Sequence, residues 1–577
     1  MTSTGSRTWL DRLLRPGASD RQAVIVDLYW LVGLGVLLMG VGLGLRDPWP
    51  ADEPRFALIA RDMLRTGDWL VPRVGGDLYP DKPPFYFWLL TLAIGATGSV
   101  RAGFLLPSLL AGLGTVLLVY DLLRRIYGRE VGFAGALLLL CTFQFVWQAR
   151  QAQIDATLCF LTTLGLYGLL RYLLQQGSLR WWLVGWAAAG LGIITKGVGF
   201  LPLLVLLPWV WLARRGWPVM RPPRLTVWVA GVAAFLAAIA IWFVPMWIAT
   251  SAGGPLLAYR NEILFHQTVT RYATAWHHQE PPWYYVVQVI PALWLPAIAL
   301  VPWAWRRWRS RWSAHDALTA IALCWVVLVL LFFSASTGKR GVYVLPALPA
   351  LALALAPTLP ELLRARGPRR LAFGLALLLT IVGAAGVAYF AIDAQATLKI
   401  VHEYGATPVL PLALVAVAGA TALVTFRVRD GWPAWFVTLA AVLIVTGLVI
   451  YPRIDAERST SAFIADVEAR TAAVDELGWV AAKEQYLLQM KRPSFNFGHA
   501  RWRESEREIA DAARWLDGDP GRALLIDRRS IAPCFARTRQ VDIGGANRIE
   551  WVLVTGSPDR SCVERGNAAA VIAYDPR

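Results

Sequence analysis

Long apolar runs separated by short polar stretches fill the chain up to about residue 450, after which short apolar runs alternate with helix-like polar stretches. A helix needs about 20 mostly apolar residues to cross roughly 30 Å of hydrocarbon, and about thirteen such segments can be traced. Threaded alternately through a bilayer, they sort the charges. Arg124, Arg125 and Arg129, then Arg180, Arg214 and Arg215, Arg306 to Arg311, Arg364 to Arg370, and Arg427 with Arg429 fall on one side, the cytoplasmic one by the positive-inside bias. Stretches 46–100, 148–155, 250–282, 334–340 and 393–407, and the turn at Lys196, fall on the other. The first run, 24–45, follows Arg7, Arg12, Arg15 and Arg21 but is not followed by a small-residue cleavage site, so it reads as a retained first span with a cytoplasmic N-terminus.

The last span is expected over 432–450, dividing the chain into a membrane domain, 1–450, with a long first outer loop at 46–100, and a soluble outer domain, 451–577. In that tail the helix-like stretches 459–471 and 503–516 and the apolar runs 523–526 and 551–554 predict a small α/β domain. Cys141, Cys159 and Cys324 lie inside apolar runs as packing residues. Cys534 and Cys562 are the tail's two cysteines, and an oxidising outer compartment permits them to form a disulfide.

Composition agrees with a polytopic membrane protein. The 577 residues are 56% hydrophobic and 16% charged, and the mean hydropathy is +0.48. A net charge of +17 would suggest a nucleic-acid partner in a soluble chain. Here the arginines sit between apolar runs, where topology and anionic head groups account for them, and no nucleic-acid signature is present.

The chemistry gathers on the expected outer face. Trp49-Pro50-Ala51-Asp52-Glu53-Pro54-Arg55 opens the first outer loop, and Tyr79-Pro80-Asp81-Lys82-Pro83-Pro84 closes it. Adjacent acids before a helix are ordinarily a solvated cap, but Asp155 arrives at the end of another span, and an acid there is costly without a partner or a task. Lysine is scarce, six against fifty arginines, and Lys82, Lys196, Lys339 and Lys399 of the membrane part all fall on the outer face. Snorkelling explains Lys399. The other three, with Arg271, Arg340 and Tyr343, have the character of a phosphate site. A metal site drawn from Asp52, Asp155, Asp81 and His266 is an alternative use of the acids, although no HExxH or paired-cysteine pattern is present.

These stretches resemble the GT-C superfamily of polyprenyl-phosphate-dependent glycosyltransferases, and within it the aminoarabinose transferases of Gram-negative bacteria. The likeness rests on Asp52-Glu53-Pro54-Arg55, Ile59-Ala60-Arg61-Asp62-Met63-Leu64, Gly67-Asp68-Trp69, Asp81-Lys82-Pro83, Asp155, Thr195-Lys196-Gly197, 266–271, Pro282-Trp283-Tyr284-Tyr285 and Gly338-Lys339. Two departures stand out: Asp81 where the family often has Glu, and Asp155-Ala156 where it has Asp-Pro.

The resemblance implies a GT-C membrane fold with a periplasmic α/β tail in a bacterial inner membrane. It implies transfer of 4-amino-4-deoxy-L-arabinose from undecaprenyl phosphate to lipid A phosphates at the periplasmic face, an activity that confers resistance to polymyxin and other cationic peptides. Asp52 would be the principal carboxylate with Asp155 and Glu53. Lys82, Arg271, Lys196, Lys339, Arg340 and Tyr343 would hold the carrier phosphate; Asp81 with His266 stays the candidate pair for a divalent metal ion from the residues themselves, and the shorter acid at 81 departs from the family's carboxylate there. A protein O-mannosyltransferase is the rival enzymatic reading. A lipid-linked sugar transporter is the rival class, disfavoured because the spans carry few midplane charges and show no repeated halves.

Overall fold

The computed structural model describes residues 20–175, 177–251, 253–264, 279–499 and 504–577. Among them nine helices are long and apolar enough to cross a membrane, and Tyr285–Leu293 with Ile298–Ser313, bent by 99°, would make a tenth. About thirteen spans were expected. Other apolar runs form shorter or broken helices, as in Arg129–Leu140, Leu179–Ile193, and the 3-10 stretch Leu201–Val205 that leads into Leu206–Arg214. Glycine and proline mark these breaks, and exposed backbone at membrane depth is tolerated only where protein groups satisfy it.

The chain forms two compact units, one of Met1–Val41, Pro107–Tyr389 and Val409–Thr446, the other of Gly42–Leu106, Phe390–Pro408 and Gly447–Arg577. The expected tail beginning at 451 is therefore part of a larger unit that also takes in the first outer loop.

The first unit is helical, and its rare internal charges are partnered. Asp27, 1% exposed, accepts bonds from Tyr120 Oη at 2.9 Å and Arg129 Nη1 at 2.7 Å, tying three helices together. Arg150, 2% exposed, donates to the carbonyls of Leu38 at 2.7 Å and Leu443 at 2.9 Å. Leu38 lies in a π-helical turn, Val36–Gly40, where the regular ladder of carbonyl acceptors is interrupted.

The second unit is built on a six-stranded sheet. From edge to edge its strands are Arg539–Ala546, Ile549–Thr555, Arg522–Asp527, Glu476–Trp479, Ser494–Asn496 and Ile572–Tyr574; Glu476–Trp479 runs parallel to both its neighbours and the remaining pairs are antiparallel. Alternation along the strands divides the apolar residues between two faces. Leu524, Ile526, Val552 and Val554 pack with Trp515 and Leu516 of helix Ser505–Asp517. Ala523, Leu525, Trp551 and Leu553 pack with Ile464 and Val467 of helix Ser461–Arg470. Cys534 and Cys562 are joined by a disulfide, with Cα atoms 5.7 Å apart, inside the first of these clusters.

Candidate functional site

In the second unit the candidate residues lie on and around helix Glu53–Thr66. Pro54 suits its first turn, and Gly67 ends it in a left-handed conformation, φ 71°, with its N–H on the Met63 carbonyl. Phe56, Ile59, Ala60 and Met63 are buried at helical spacing along one face. Asp52 occupies the N-cap position, but its side chain makes no capping hydrogen bond. The ordinary reading of such an acid as a cap does not apply.

Its neighbour Glu53 is used differently. Both its carboxylate oxygens are bound by the Arg46 guanidinium, and Oε2 also accepts the Trp49 N–H at 2.9 Å. Arg46 in turn lies over the rings of Trp49, Phe104 and Tyr451. Glu53, expected among the catalytic acids, is thus a buried anchor of the loop, 6% exposed.

Arg55, one helical turn beyond Asp52, faces two acids: Nε donates to Glu484 Oε1 at 2.5 Å, while Nη1 stands 4.0 Å from Asp52 Oδ1. His499 Nδ1 lies 3.4 Å from the same Glu484 oxygen, and the His499 ring packs edge-on against Tyr79 at 5.8 Å. Burial, then the nearby Asp81 carboxylate, pushes the Tyr79 hydroxyl up. Burial opposes the charge on Arg55, but Glu484, Tyr79 and Asp52 outweigh it and hold the guanidinium above its ordinary value. Burial pushes the His499 imidazole down, against the pull of Glu484. Lys82 and Asp81, both half-buried, occupy the turn after the hairpin Arg73–Val74 and Asp77–Leu78.

The hairpin fits the tail closely. Gly75, φ 56°, lies so near Leu487 that a Cβ would come within 2.5 Å of its side chain, and its carbonyl accepts a bond from Asn496 Nδ2 at 3.1 Å. Asp77 accepts the His499 N–H at 2.8 Å, and Arg61 bonds the Leu487 and Leu488 carbonyls at 2.9 and 2.8 Å. Glu484 and His499 were not among the residues singled out from the sequence. Their partners lie more than four hundred positions away, so no local spacing signals them.

In the first unit the polar residues meet at the start of helix Ile154–Gln175. Lys196 Nζ bonds Asp155 Oδ1 at 2.6 Å and stands 4.2 Å from the centre of the Tyr343 ring. The turn that carries Lys196 closes tightly: a Cβ on Gly199 would fall 1.9 Å from the Gly192 carbonyl carbon, so backbone rests on backbone there. Gln144 links neighbouring segments, donating to the Gly341 carbonyl at 2.9 Å and accepting from Trp294 Nε1 at 2.6 Å.

Lys339, expected on the carrier phosphate, is 3% exposed, and its ammonium is spent on the backbone carbonyls of Glu280 and Ser336. It anchors the polar turn. Arg340 and Tyr343 are half-buried beyond it.

His266 and Arg271 lie outside the described residues. Among the described residues no group of three or more histidines, cysteines and carboxylates is placed to hold a metal ion. Asp52, Asp81 and Lys82 belong to the second unit, and Asp155, Lys196, Lys339, Arg340 and Tyr343 to the first.

Residues 81–252 match the profile of the dolichyl-phosphate-mannose-protein mannosyltransferases. The chain is 32% identical over 362 residues to an undecaprenyl phosphate-alpha-4-amino-4-deoxy-L-arabinose arabinosyl transferase of Pseudomonas paraeruginosa, an alignment that covers 60% of this chain and spans 63% of that protein's length. A transferase of the same description from Pseudomonas aeruginosa is 29% identical over 518 residues, 84% of this chain and 89% of the relative. Among solved structures, ArnT from Cupriavidus metallidurans superposes with a TM-score of 0.71 bound to undecaprenyl phosphate and 0.72 in the apo state. These matches cover 93% and 95% of this chain, and 98% and 100% of those chains, at 21% identity.

Proposed function

We propose, from its kinship with the aminoarabinose arabinosyl transferases and its ArnT-like GT-C fold, that this multi-pass membrane glycosyltransferase moves 4-amino-4-deoxy-L-arabinose from undecaprenyl phosphate to lipid A phosphates. The reaction is placed at the periplasmic face of the bacterial inner membrane. Its consequence is a less anionic outer membrane that binds polymyxin and other cationic peptides more weakly.

The observation that carries this reading is the Lys196 ammonium, paired with Asp155 and set over the Tyr343 ring. A cation held by a carboxylate is preorganised for an anion: a carrier phosphate takes up the ammonium without any need to move it into place. The glycosidic C1–O bond breaks with its electron pair on the carrier phosphate, and an oxygen of the acceptor phosphate bonds to C1. Negative charge grows on the leaving group along this path, and fixed cations there lower the barrier. Arg340 of the same unit, and Lys82 and Arg271 from their sequence pattern, are further candidates for phosphate contacts.

Because the acceptor phosphate is already ionised near neutral pH, Asp52 acts electrostatically, steadying positive character at C1 or orienting the acceptor. No step of this reading runs through a divalent ion at Asp81 and His266.

The mannosyltransferase profile over 81–252 keeps a second acceptor class in view. A serine or threonine hydroxyl, unlike a phosphate, would require Asp52 as a general base. Mass spectrometry of lipid A separates the two, using a Gram-negative strain that makes the undecaprenyl-linked donor but lacks its own transferase. Complementation with this chain is expected to add one or more aminopentose units, and the Asp52→Asn form none. Unmodified lipid A with glycosylated periplasmic proteins would transfer the assignment to protein O-glycosylation.

A further inference from the structure

We propose that the first unit holds an anionic glycerophospholipid: an acyl chain lies in the groove between helices Leu206–Arg214 and Ala317–Ala335, and its phosphate rests on Arg215 and Arg309. The inference is independent of the roles given to Asp52 and Lys196. The groove encloses about 480 Å³ and no charged side chain lines it; Leu207, Pro208 and Trp211 form one wall, Cys324 and Val327 the other, and Trp312 stands at its mouth. Leu207 is 60% exposed and Val327 53%, so the groove opens outward and is not sealed as core.

Tryptophan rings settle at the level of lipid head groups, and three gather at one end of the groove. The Trp312 ring lies 5.8 Å from that of Trp211 and 5.2 Å from that of Trp217. From the start of helix Ala317–Ala335 to Val327 the rise is about 15 Å at 1.5 Å per residue. That is half of a hydrocarbon core of about 30 Å, the depth of one leaflet and of one acyl chain. The carrier site is elsewhere: Lys196 precedes, and Lys339 follows, the ends of these two helices away from the tryptophans.

The charges at the mouth supply the other half of the site. Arg215 stands 4.6 Å from the centre of the Trp211 ring, and Arg309, three residues before Trp312 on helix Val301–Ser313, stands 5.1 Å from that of Trp305. On the same helix Arg307 donates to Glu361 and Arg311 to Asp316, both at 2.8 Å. Arg214, Arg215, Arg306 and Arg309 have no such acid among the described residues, and all four are exposed. Guanidinium groups without carboxylates, set above an apolar trough one leaflet deep, match a lipid phosphate with its chain below. A zwitterionic lipid brings its own cation and gains less from them.

The test is native mass spectrometry of the full-length protein in detergent micelles, titrated with dioleoylphosphatidylglycerol or with dioleoylphosphatidylcholine, which carries the same chains under a zwitterionic head group. Phosphatidylglycerol should bind at least about tenfold more tightly. A cation at the head-group level contributes about fivefold, so Arg215→Gln combined with Arg309→Gln should weaken phosphatidylglycerol by about 25-fold and phosphatidylcholine by less than about twofold. Val327→Trp fills the trough and should weaken both lipids at an unchanged melting temperature. Arg307→Gln takes the same charge from the same helix, but from an arginine already paired with Glu361, and should change neither.

Equal affinity for the two lipids, or as large a loss in Arg307→Gln as in Arg309→Gln, would reduce the mouth to an unspecific positive surface and overturn the proposal. Undecaprenyl phosphate weakened by the same pair of substitutions would give the trough to the carrier's chain and overturn it as well.

Discussion

The Asp155 cluster and the Asp52 cluster use the same kinds of side chain in different arrangements. At Asp155 one carboxylate meets one ammonium, and the aromatic face of Tyr343 reinforces the cation. Near Asp52 the Arg55 guanidinium stands 4.0 Å from Asp52 Oδ1 and bonds Glu484 Oε1 at 2.5 Å, with His499 beside Glu484. The first arrangement is suited to receive an anion, which replaces one carboxylate for another negative group. The second threads a guanidinium between carboxylates drawn from distant parts of the sequence.

The sharpest way to break this comparison lies within two adjacent acids. Asp52→Asn should cost about 10²- to 10³-fold in kcat at an unchanged melting temperature, the scale of losing one preorganised electrostatic group. Glu53→Gln should do the reverse, lowering stability by about 3 kcal/mol because it strands Arg46 in a buried site, while correctly folded molecules turn over normally. Thermal unfolding paired with initial rates reads both, and swapped phenotypes would reassign the acids.

Next in size is the Cys534–Cys562 bridge, which closes a 28-residue separation. Replacing both cysteines by serine should lower the stability of the tail by about 3 kcal/mol. Limited proteolysis should then cut the tail first, and equal cleavage of the two forms would show that the bridge adds nothing.

A comparison of two lysines follows. Lys196→Met should weaken binding of undecaprenyl phosphate by about 10- to 100-fold, the equivalent of one charge-assisted bond. Lys339→Met should leave that affinity alone and cost about 2 kcal/mol of stability through two lost bonds to carbonyls.

The smallest effect concerns His499. Its imidazole is held below the ordinary value by burial, with Glu484 opposing. The unfolded chain therefore takes up the proton first as pH falls, so the stabilising contribution is complete above about pH 6.5 and is lost as pH drops through the folded value. Relative to His499→Gln, the wild-type protein should lose under about 1 kcal/mol between about pH 7.5 and pH 5. Identical pH slopes would remove His499 from the ledger of titrating groups.

Much of this arrangement is visible in the sequence where it depends on local pattern. The helical membrane part follows from hydropathy and the α/β character of the tail from its apolar runs between helix-like stretches, while Asp52, Lys82, Asp155 and Lys196 stand out in the sequence by their places beside apolar segments. Hydropathy counts Leu179–Ile193 and Leu201–Arg214 as spans because they are apolar, while their helices are short. Lys339 misled for a related reason. In a chain that prefers arginine, a lysine marks a place where a compact ammonium fits, and a tight cage of carbonyls satisfies that description as well as a phosphate does. Glu484 and His499 were invisible because their meaning comes from Arg55 and Tyr79, contacts that only the folded chain makes.

The fit between the Gly75 hairpin and the tail also dictates an order of events during synthesis. Asn496 bonds the Gly75 carbonyl across 421 residues and Glu484 reaches Arg55 across 429. At about 5 to 20 residues per second, the first loop is made roughly 20 to 90 seconds before the ribosome delivers the residues that complete it. Throughout that interval the faces of the loop destined for the tail have no native partner. A nascent chain in this state is a natural substrate for chaperones and proteases of its compartment, and any early stop codon before the tail would leave it there permanently.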